Sequence, residues 1–86
     1  MDETYLVMKQ ALDAIFDRMR DKNSMRWDDL NMRPKDNDEP LVKNLVRAKA
    51  SLDNIANGAE PRELQESAFR IAFRKVERIL DEPGWA

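Results

Sequence analysis

Apolar residues recur at helical spacing in three stretches of the chain, and residues 63 to 80 show the clearest pattern. When each residue advances by about 100° around a helix axis, the apolar positions of this stretch fall within an arc of about 200°. The arc contains Leu64, Ala68, Phe69, Ile71, Ala72, Phe73, Val76, Ile79 and Leu80. A surface helix needs an apolar stripe of only a little more than about 100°. The pattern therefore predicts a helix contacted on two sides, either centrally within its own domain or with one flank against a second chain.

Two earlier stretches show the same periodicity. Residues 3 to 22 carry an apolar arc of about 200°, and residues 39 to 57 carry a narrower stripe. Gly58 is suited to end the second helix, and Pro61 is suited to begin the third. Because so short a connection keeps consecutive helices side by side, we expect helices two and three to form an antiparallel hairpin. The predicted helices cover about residues 3–22, 39–57 and 61–81.

The segment between the first two predicted helices, residues 23 to 38, is longer than the about 2 to 8 residues usual in helical bundles. Its large apolar residues are Met25, Trp27, Leu30 and Met32. Ser24 is suited to cap a short helical turn here, and Asp38 is suited to cap the second helix. We expect an ordered crossover whose Trp27 packs back on the helices. The predicted fold is therefore all-α, a three-helix bundle formed by one domain, residues 1–86.

Composition narrows the classes of function. A chain of 86 residues with 42% hydrophobic and 37% charged residues has room for one small core. Its net charge of −2 gives no general attraction to nucleic acid or anionic membrane. The sequence contains no run of about 20 apolar residues, so we expect no membrane span. The absence of cysteine fits a cytoplasmic location, which is our expectation.

Few residues are available for catalysis or for metal binding. The sequence has no cysteine and no histidine, which removes the usual zinc ligands and the commonest general base. Acidic residues cluster at Asp36, Asp38 and Glu39, but Pro40 follows where a calcium loop needs a further ligand, and the required glycine is missing. We interpret this cluster as helix capping and surface charge. We expect a non-catalytic protein without metal or cofactor.

The apolar arcs of the first and third helices are wider than a lone three-helix bundle needs, which indicates surface for a partner. The residues predicted to bind it are Phe69, Phe73 and Leu80 as anchors, Tyr5 and Phe16 on the first helix, and Lys75 and Trp27 at the rim. A lysine suits a rim because its stem packs while its charge stays in water. Large apolar patches rimmed with charge usually mark protein interfaces.

Two arrangements would cover the apolar surface that a lone three-helix bundle does not need. The chain's own crossover and tail, through Trp27, Met32 and Trp85, would bury it within one molecule, whereas a second chain would bury it between molecules; the pattern alone does not choose. Our interpretation is an interaction protein, that is an adaptor, regulator or inhibitor of another protein. We expect it to form a homodimer through helices one and three, because two-fold pairing is the commonest way to cover such a patch.

The alternative function is nucleic-acid binding. Arg70, Arg74 and Arg78 form a row along the third helix and would contact phosphates. Glu66 and Glu77 occupy the same angular range, and pairs such as Glu66 with Arg70 are suited to form within one helix. A solvated face laced with ion pairs is therefore the more ordinary interpretation of this row.

Overall fold

The computed structural model describes residues 3–22, 25–33 and 39–85. Three helices account for most of this part of the chain: α1 (Glu3–Met19), α2 (Pro40–Ala56) and α3 (Arg62–Leu80). A short 3₁₀ helix, Trp27–Asn31, lies in the crossover between α1 and α2, and another, Pro83–Trp85, follows α3. The described residues contain no strand. The predicted all-α three-helix bundle is confirmed.

Helix α1 ends three residues earlier than the sequence predicts. Met19 is its last residue, and the following residues form an exposed turn in which the Lys22 N–H donates to the Met19 carbonyl at 2.9 Å. This bond spans three residues rather than four, so the chain leaves the α-helical path here. The buried stripe of α1 also ends at Met19, and a further turn would bury nothing. Asp2, a residue type suited to cap the start of α1, lies outside the described residues.

Helices α2 and α3 form the predicted antiparallel hairpin, and they pack closely along their length. Gly58 follows the end of α2 with a φ of 78°, and its N–H donates to the Ile55 carbonyl at 3.1 Å. Asn54 Nδ2 then donates to Gln65 Oε1 at 3.0 Å, which ties the two helices together beside the turn. Helix α3 begins at Arg62, with Pro61 as its N-cap, one residue later than expected.

The conformation of Gly58 leads to a first prediction. An added Cβ would meet no atom within 4 Å at either Gly58 or Gly84, but only Gly58 has a positive φ. Gly58→Ala is therefore expected to lower the free energy of unfolding by about 1–2 kcal/mol, the usual cost of a side chain in the left-handed region. Gly84→Ala is the matched control and is expected to cost nothing. Urea denaturation of both variants measures the difference, and equal effects would contradict the role given to Gly58.

All three helices and the crossover contribute to one core. Its buried residues are Met8, Leu12, Ile15, Met19, Leu30, Leu41, Val42, Leu45, Val46, Ala48, Leu52, Ile55, Phe69, Ala72, Val76 and Leu80. Every helix therefore has one apolar side against the others, as their sequence periodicity requires. None of the described helices combines the length and the apolar content needed to cross a bilayer.

The described part of the crossover is ordered and packs on α1, as predicted. Trp27 Nε1 donates to Asp13 Oδ1 at 3.0 Å, and the Trp27 ring lies 5.4 Å from the Phe16 ring. Lys9 Nζ lies 5.6 Å from the centroid of the same indole. Leu30 is buried in the core, which anchors the 3₁₀ helix. The caps expected at Ser24 and Asp38 lie outside the described residues.

The end of α3 is held by α1. The acids Asp81 and Glu82 lead us to expect a weak end here, because negative charge is unfavourable at a helix C-terminus. However, Arg18 Nη2 donates to the Leu80 carbonyl at 3.0 Å and to Asp81 Oδ1 at 2.7 Å. Lys22 Nζ donates to the Gly84 carbonyl at 3.2 Å. These cations compensate the acids, which the sequence pattern of α3 alone does not reveal. Trp85 is one of the residues that would bury the apolar surface within one molecule, and its side chain lies outside the described residues.

Candidate protein interaction surface

The structure places the predicted anchors of α3 largely inside the single chain. Phe69 is only 4% exposed and Leu80 only 3% exposed. Phe73 is half-buried and stacks on Phe69, with 5.6 Å between the ring centroids. The expectation that these residues form an exposed surplus is therefore wrong for Phe69 and Leu80. The physical reason is that α1 packs against this side of α3: Met8 shares a groove wall with Phe69, and Arg18 binds the Leu80 carbonyl.

The remaining predicted partner residues are divided between the core and the surface. Tyr5, Phe16 and Trp27 are half-buried and pack against the core of their own chain. Trp27 faces α1 rather than α3, so it does not lie beside the predicted anchors. Lys75 is exposed and lies at the edge of a groove between α2 and α3. Of the residues predicted as rim, only Lys75 is fully at the surface.

The exposed apolar side chains of α3 are different members of the same arc. Leu64 is 60% exposed and Ile71 is 58% exposed, and Ala68 between them is exposed as well. These three residues, spaced i, i+4 and i+7, share one face of the helix and are called here the α3 apolar stripe. The sequence pattern includes all three, but the anchors predicted from it are Phe69, Phe73 and Leu80. A helical projection contains the signal, since these residues lie at the edge of the arc farthest from Phe69.

The α3 apolar stripe borders a groove of about 370 Å³ between α2 and α3. The groove is lined by Asn44, Arg47, Ala50, Ser51, Ala68, Ile71, Ala72 and Lys75. Half of these residues, Ala50, Ser51, Ala68 and Ala72, are small, which leaves room between the two helices. None of the described residues that line it is acidic, whereas Arg47 and Lys75 are exposed cations. Neither cation forms an ion pair within the described part of the chain. This α2–α3 groove is therefore apolar with a positive edge.

Asn44 adds an unusual polar group to the groove wall. The side chain is buried, and its Nδ2 donates to the Pro40 carbonyl at 2.8 Å. This bond fixes the orientation of the amide, because the reversed amide would place two acceptor oxygens together. Its Oδ1 is buried and accepts no hydrogen bond from any described residue. A buried acceptor without a donor costs about 1–3 kcal/mol, and nothing in the fold explains why it is retained.

A second groove, of about 380 Å³, lies on the other side of α3, between α3 and α1. Met8, Ala11 and Phe69 line it together with the charged residues Glu66 and Arg70. Its charges are mixed in sign, so they favour no particular class of ligand. The described residues hold no group of three or more acidic side chains placed to bind a metal ion. Most of the acidic cluster predicted near Asp38 lies outside the described residues.

The arginine row of α3 lies on the solvent face. Arg70, Arg74 and Arg78 are all exposed. The ion pairs of the described residues join Lys9 to Asp13 at 3.3 Å, Arg18 to Asp81 at 2.7 Å and Lys49 to Asp53 at 2.7 Å. The pairs expected within α3, such as Glu66 with Arg70, are not among them. The three guanidinium groups therefore face water rather than carboxylates in the described structure.

Comparison of the chain with protein-family models, with curated proteins and with solved structures finds no match. The exposed stripe and the groove beside it are therefore the features of the described structure that bear on function.

Proposed function

We propose that this chain is a small non-catalytic interaction protein, an adaptor, regulator or inhibitor, that binds another protein chain through the α3 apolar stripe. The observation that carries the proposal is the exposure of Leu64 and Ile71, 60% and 58%, on one helix face. A single exposed leucine is ordinary on a protein surface. Here Ala68 joins the two large side chains, and the apolar groove continues the patch sideways. Continuous exposed apolar surface of this kind usually marks a site of protein contact.

A helix is the partner element that best fits this surface. An amphipathic helix binds a groove through apolar residues at spacings of three and four, and it needs a floor that lets it approach closely. Ala50, Ala68 and Ala72 provide such a floor. Lys75 would pack its stem beside the bound helix while its charge stays in water. A cytoplasmic location, expected from the sequence, is part of this proposal.

The test removes the apolar stripe without changing charge. The double variant Leu64→Gln with Ile71→Gln is expected to unfold within about 1 kcal/mol of the wild type, because both positions are exposed. It is expected to lose binding, both in self-association and in capture of partner proteins from a cell extract. The physical reason is the loss of the two large apolar contacts.

A matched control makes two glutamine substitutions on the opposite face of the same helix. Arg70→Gln with Glu77→Gln removes one base and one acid, both exposed, so the net charge is unchanged. This variant is expected to bind as the wild type does. If both double variants behave like the wild type in self-association and in capture, the α3 apolar stripe is not a binding surface.

A second candidate function is nucleic-acid binding through Arg70, Arg74 and Arg78. The observation that favours it is that these exposed guanidinium groups form no ion pair within the described residues. Binding to duplex DNA, measured as the salt concentration is varied, is the test. Phosphate contacts would make the affinity fall steeply as salt is added. Absence of binding at low salt would exclude this function.

A further inference from the structure

The α3 wall of the α2–α3 groove forms a hollow that fits one large side chain of a facing helix. Its residues are Ala68, Ile71, Ala72 and Lys75, at spacings i, i+3, i+4 and i+7. When two helices pack, a large side chain of one enters a hollow surrounded by four residues of the other. Two of the four residues here are alanines, so the hollow is open. It fits a helix that offers a leucine or an isoleucine at this level.

The α3 apolar stripe itself offers such side chains. Leu64 and Ile71 are 60% and 58% exposed, and they lie about 10.5 Å apart along the helix axis. The point midway between them falls between Ser67 and Ala68, which are both small and both exposed. Small residues at the centre let two helix axes approach each other. The stripe is therefore suited to pair with an antiparallel copy of itself, in which each large residue meets the other.

An antiparallel pairing about this midpoint fixes which residues face each other. Leu64 lies level with the partner's Ile71, and Ala68 lies level with the partner's Ser67. Ile71 is also in the middle of the hollow formed by residues 68 to 75, so the partner's Leu64 enters that hollow. The two-fold symmetry repeats the same contact in the other direction. One surface on each chain is therefore enough to close the dimer.

The charges along this face agree with the antiparallel direction. At this register Lys75 comes close to the partner's Glu60, two residues before the start of the partner's α3. Both residues are exposed, and neither forms an ion pair with a described residue of its own chain. A parallel pairing would instead set Lys75 beside the partner's Lys75. Charge complementarity therefore favours the antiparallel direction and this register.

Helix α2 leaves room for such a dimer. A two-fold axis perpendicular to α3 places the α2 helices of both chains on the same side of the α3 pair. The α2 residues level with this axis are Ala50 and Ser51, because Ser51 lies opposite Ala68 in the hairpin. Both are small, and Ala50 is exposed. The two α2 helices therefore present small side chains where they come nearest to each other.

We propose that the α3 apolar stripe is covered by the same stripe of a second copy of this chain, with the two α3 helices antiparallel about a two-fold axis between Ser67 and Ala68. This inference rests on the proposed function and names its partner. The dimer buries Leu64 and Ile71 of both chains. Because each chain contributes one helix and the edge of another, the contact is small and the dimer is expected to dissociate on dilution.

An introduced thiol tests the position of the two-fold axis, since the sequence contains no cysteine. Ala68→Cys places two thiols beside the axis, close enough for a disulfide between the copies. With diamide as the oxidant, this variant is expected to form a covalent dimer at least about tenfold faster than the control, because pairing raises the effective concentration of the thiols. The matched control is Ala14→Cys, at an exposed alanine of α1.

Reversal of charge tests the direction of the pairing. Lys75→Glu and Glu60→Lys, studied separately by sedimentation velocity across concentration, are each expected to weaken self-association at least about tenfold, because like charges then meet at both ends of the α3 pair. An equimolar mixture of the two variants is expected to restore association, since every reversed charge then meets its opposite. Arg70→Glu and Asp28→Lys make the same charge changes at exposed positions away from the contact and are expected to associate like the wild type. Circular dichroism shows that each variant is folded.

Four results overturn the inference: a wild type that stays a single chain up to about 1 mM, an Ala68→Cys variant that crosslinks no faster than Ala14→Cys, charge variants that associate like the wild type, or a mixture that fails to restore association. The proposed function fails differently. If the wild type is monomeric but the Leu64→Gln, Ile71→Gln variant loses a captured protein, the α3 apolar stripe binds a foreign partner and the second copy is the wrong occupant. If that variant loses nothing, the proposed function fails as well.

Discussion

Replacing Phe69 with alanine is expected to lower the free energy of unfolding by about 3–5 kcal/mol, the usual cost of truncating a buried aromatic side chain. Phe69 is 4% exposed and stacks on Phe73, so its removal leaves a cavity between α1 and α3. Small domains are stable by only about 5–15 kcal/mol, so this loss is a large part of the total. Denaturation in urea, followed by circular dichroism, measures it.

The control for Phe69 is Ile71, two residues away on the exposed side of the same helix. Ile71→Ala is expected to change the free energy of unfolding by no more than about 0.5 kcal/mol. Phe69→Leu serves if the alanine variant does not fold, and is expected to lose less. Equal losses at Phe69 and Ile71 would contradict the division of α3 into a core side and an exposed side.

Replacing Trp27 with alanine is expected to lower the free energy of unfolding by about 2 kcal/mol. A fully buried tryptophan costs about 3–5 kcal/mol when truncated, and Trp27 is only half-buried. The variant loses the ring contact with Phe16 and the hydrogen bond to Asp13. The crossover would then be held mainly by Leu30. The same urea measurement gives the loss.

Trp27→Phe separates the two contributions. It keeps an aromatic ring over Phe16 but removes the indole N–H that donates to Asp13 Oδ1. The loss is expected to be about 1 kcal/mol, the net value of one hydrogen bond. An alanine variant as stable as the wild type would mean that the crossover does not depend on Trp27.

The helices could be predicted from the sequence because apolar periodicity and turn residues act locally. Gly58 ends α2, and the short connection to Pro61 makes the hairpin. The end of α1 was predicted three residues late. Arg20 and Lys22 are compatible with a helix, and the chain leaves it because the buried stripe is already complete at Met19. The apolar periodicity of one helix does not show where the helices packed against it end.

The proposed binding surface could be predicted only in part, because a helical projection gives the angle of each residue around the axis and does not show which neighbouring helix covers it. Phe69 and Ile71 both belong to the apolar arc of α3. Only the positions of α1 and α2 decide that Phe69 is buried and that Ile71 is exposed. Lys75 indicates the exposed part of the arc better than the aromatic residues do, since a lysine within an apolar arc marks the side that reaches water.

The α2–α3 groove could be predicted from the register of the helical hairpin. The register that sets Asn54 opposite Gln65 also sets Ser51 opposite Ala68, since the two chains run in opposite directions. Facing pairs of such small residues predict a gap between the helices. The periodicity of a single helix does not contain these pairs, because they form only between two helices. The unpartnered Oδ1 of Asn44 could not be anticipated, because it depends on the exact path of the first turn of α2.

Sedimentation equilibrium of the wild type beside the Leu64→Gln, Ile71→Gln variant tests most directly whether another copy covers the α3 apolar stripe. The wild type is expected to move from the mass of one 10.1 kDa chain toward a dimer as its concentration rises, while the variant stays at the mass of one chain. Wild type and variant that both sediment as single chains throughout, or that both form the same dimer, would contradict the account.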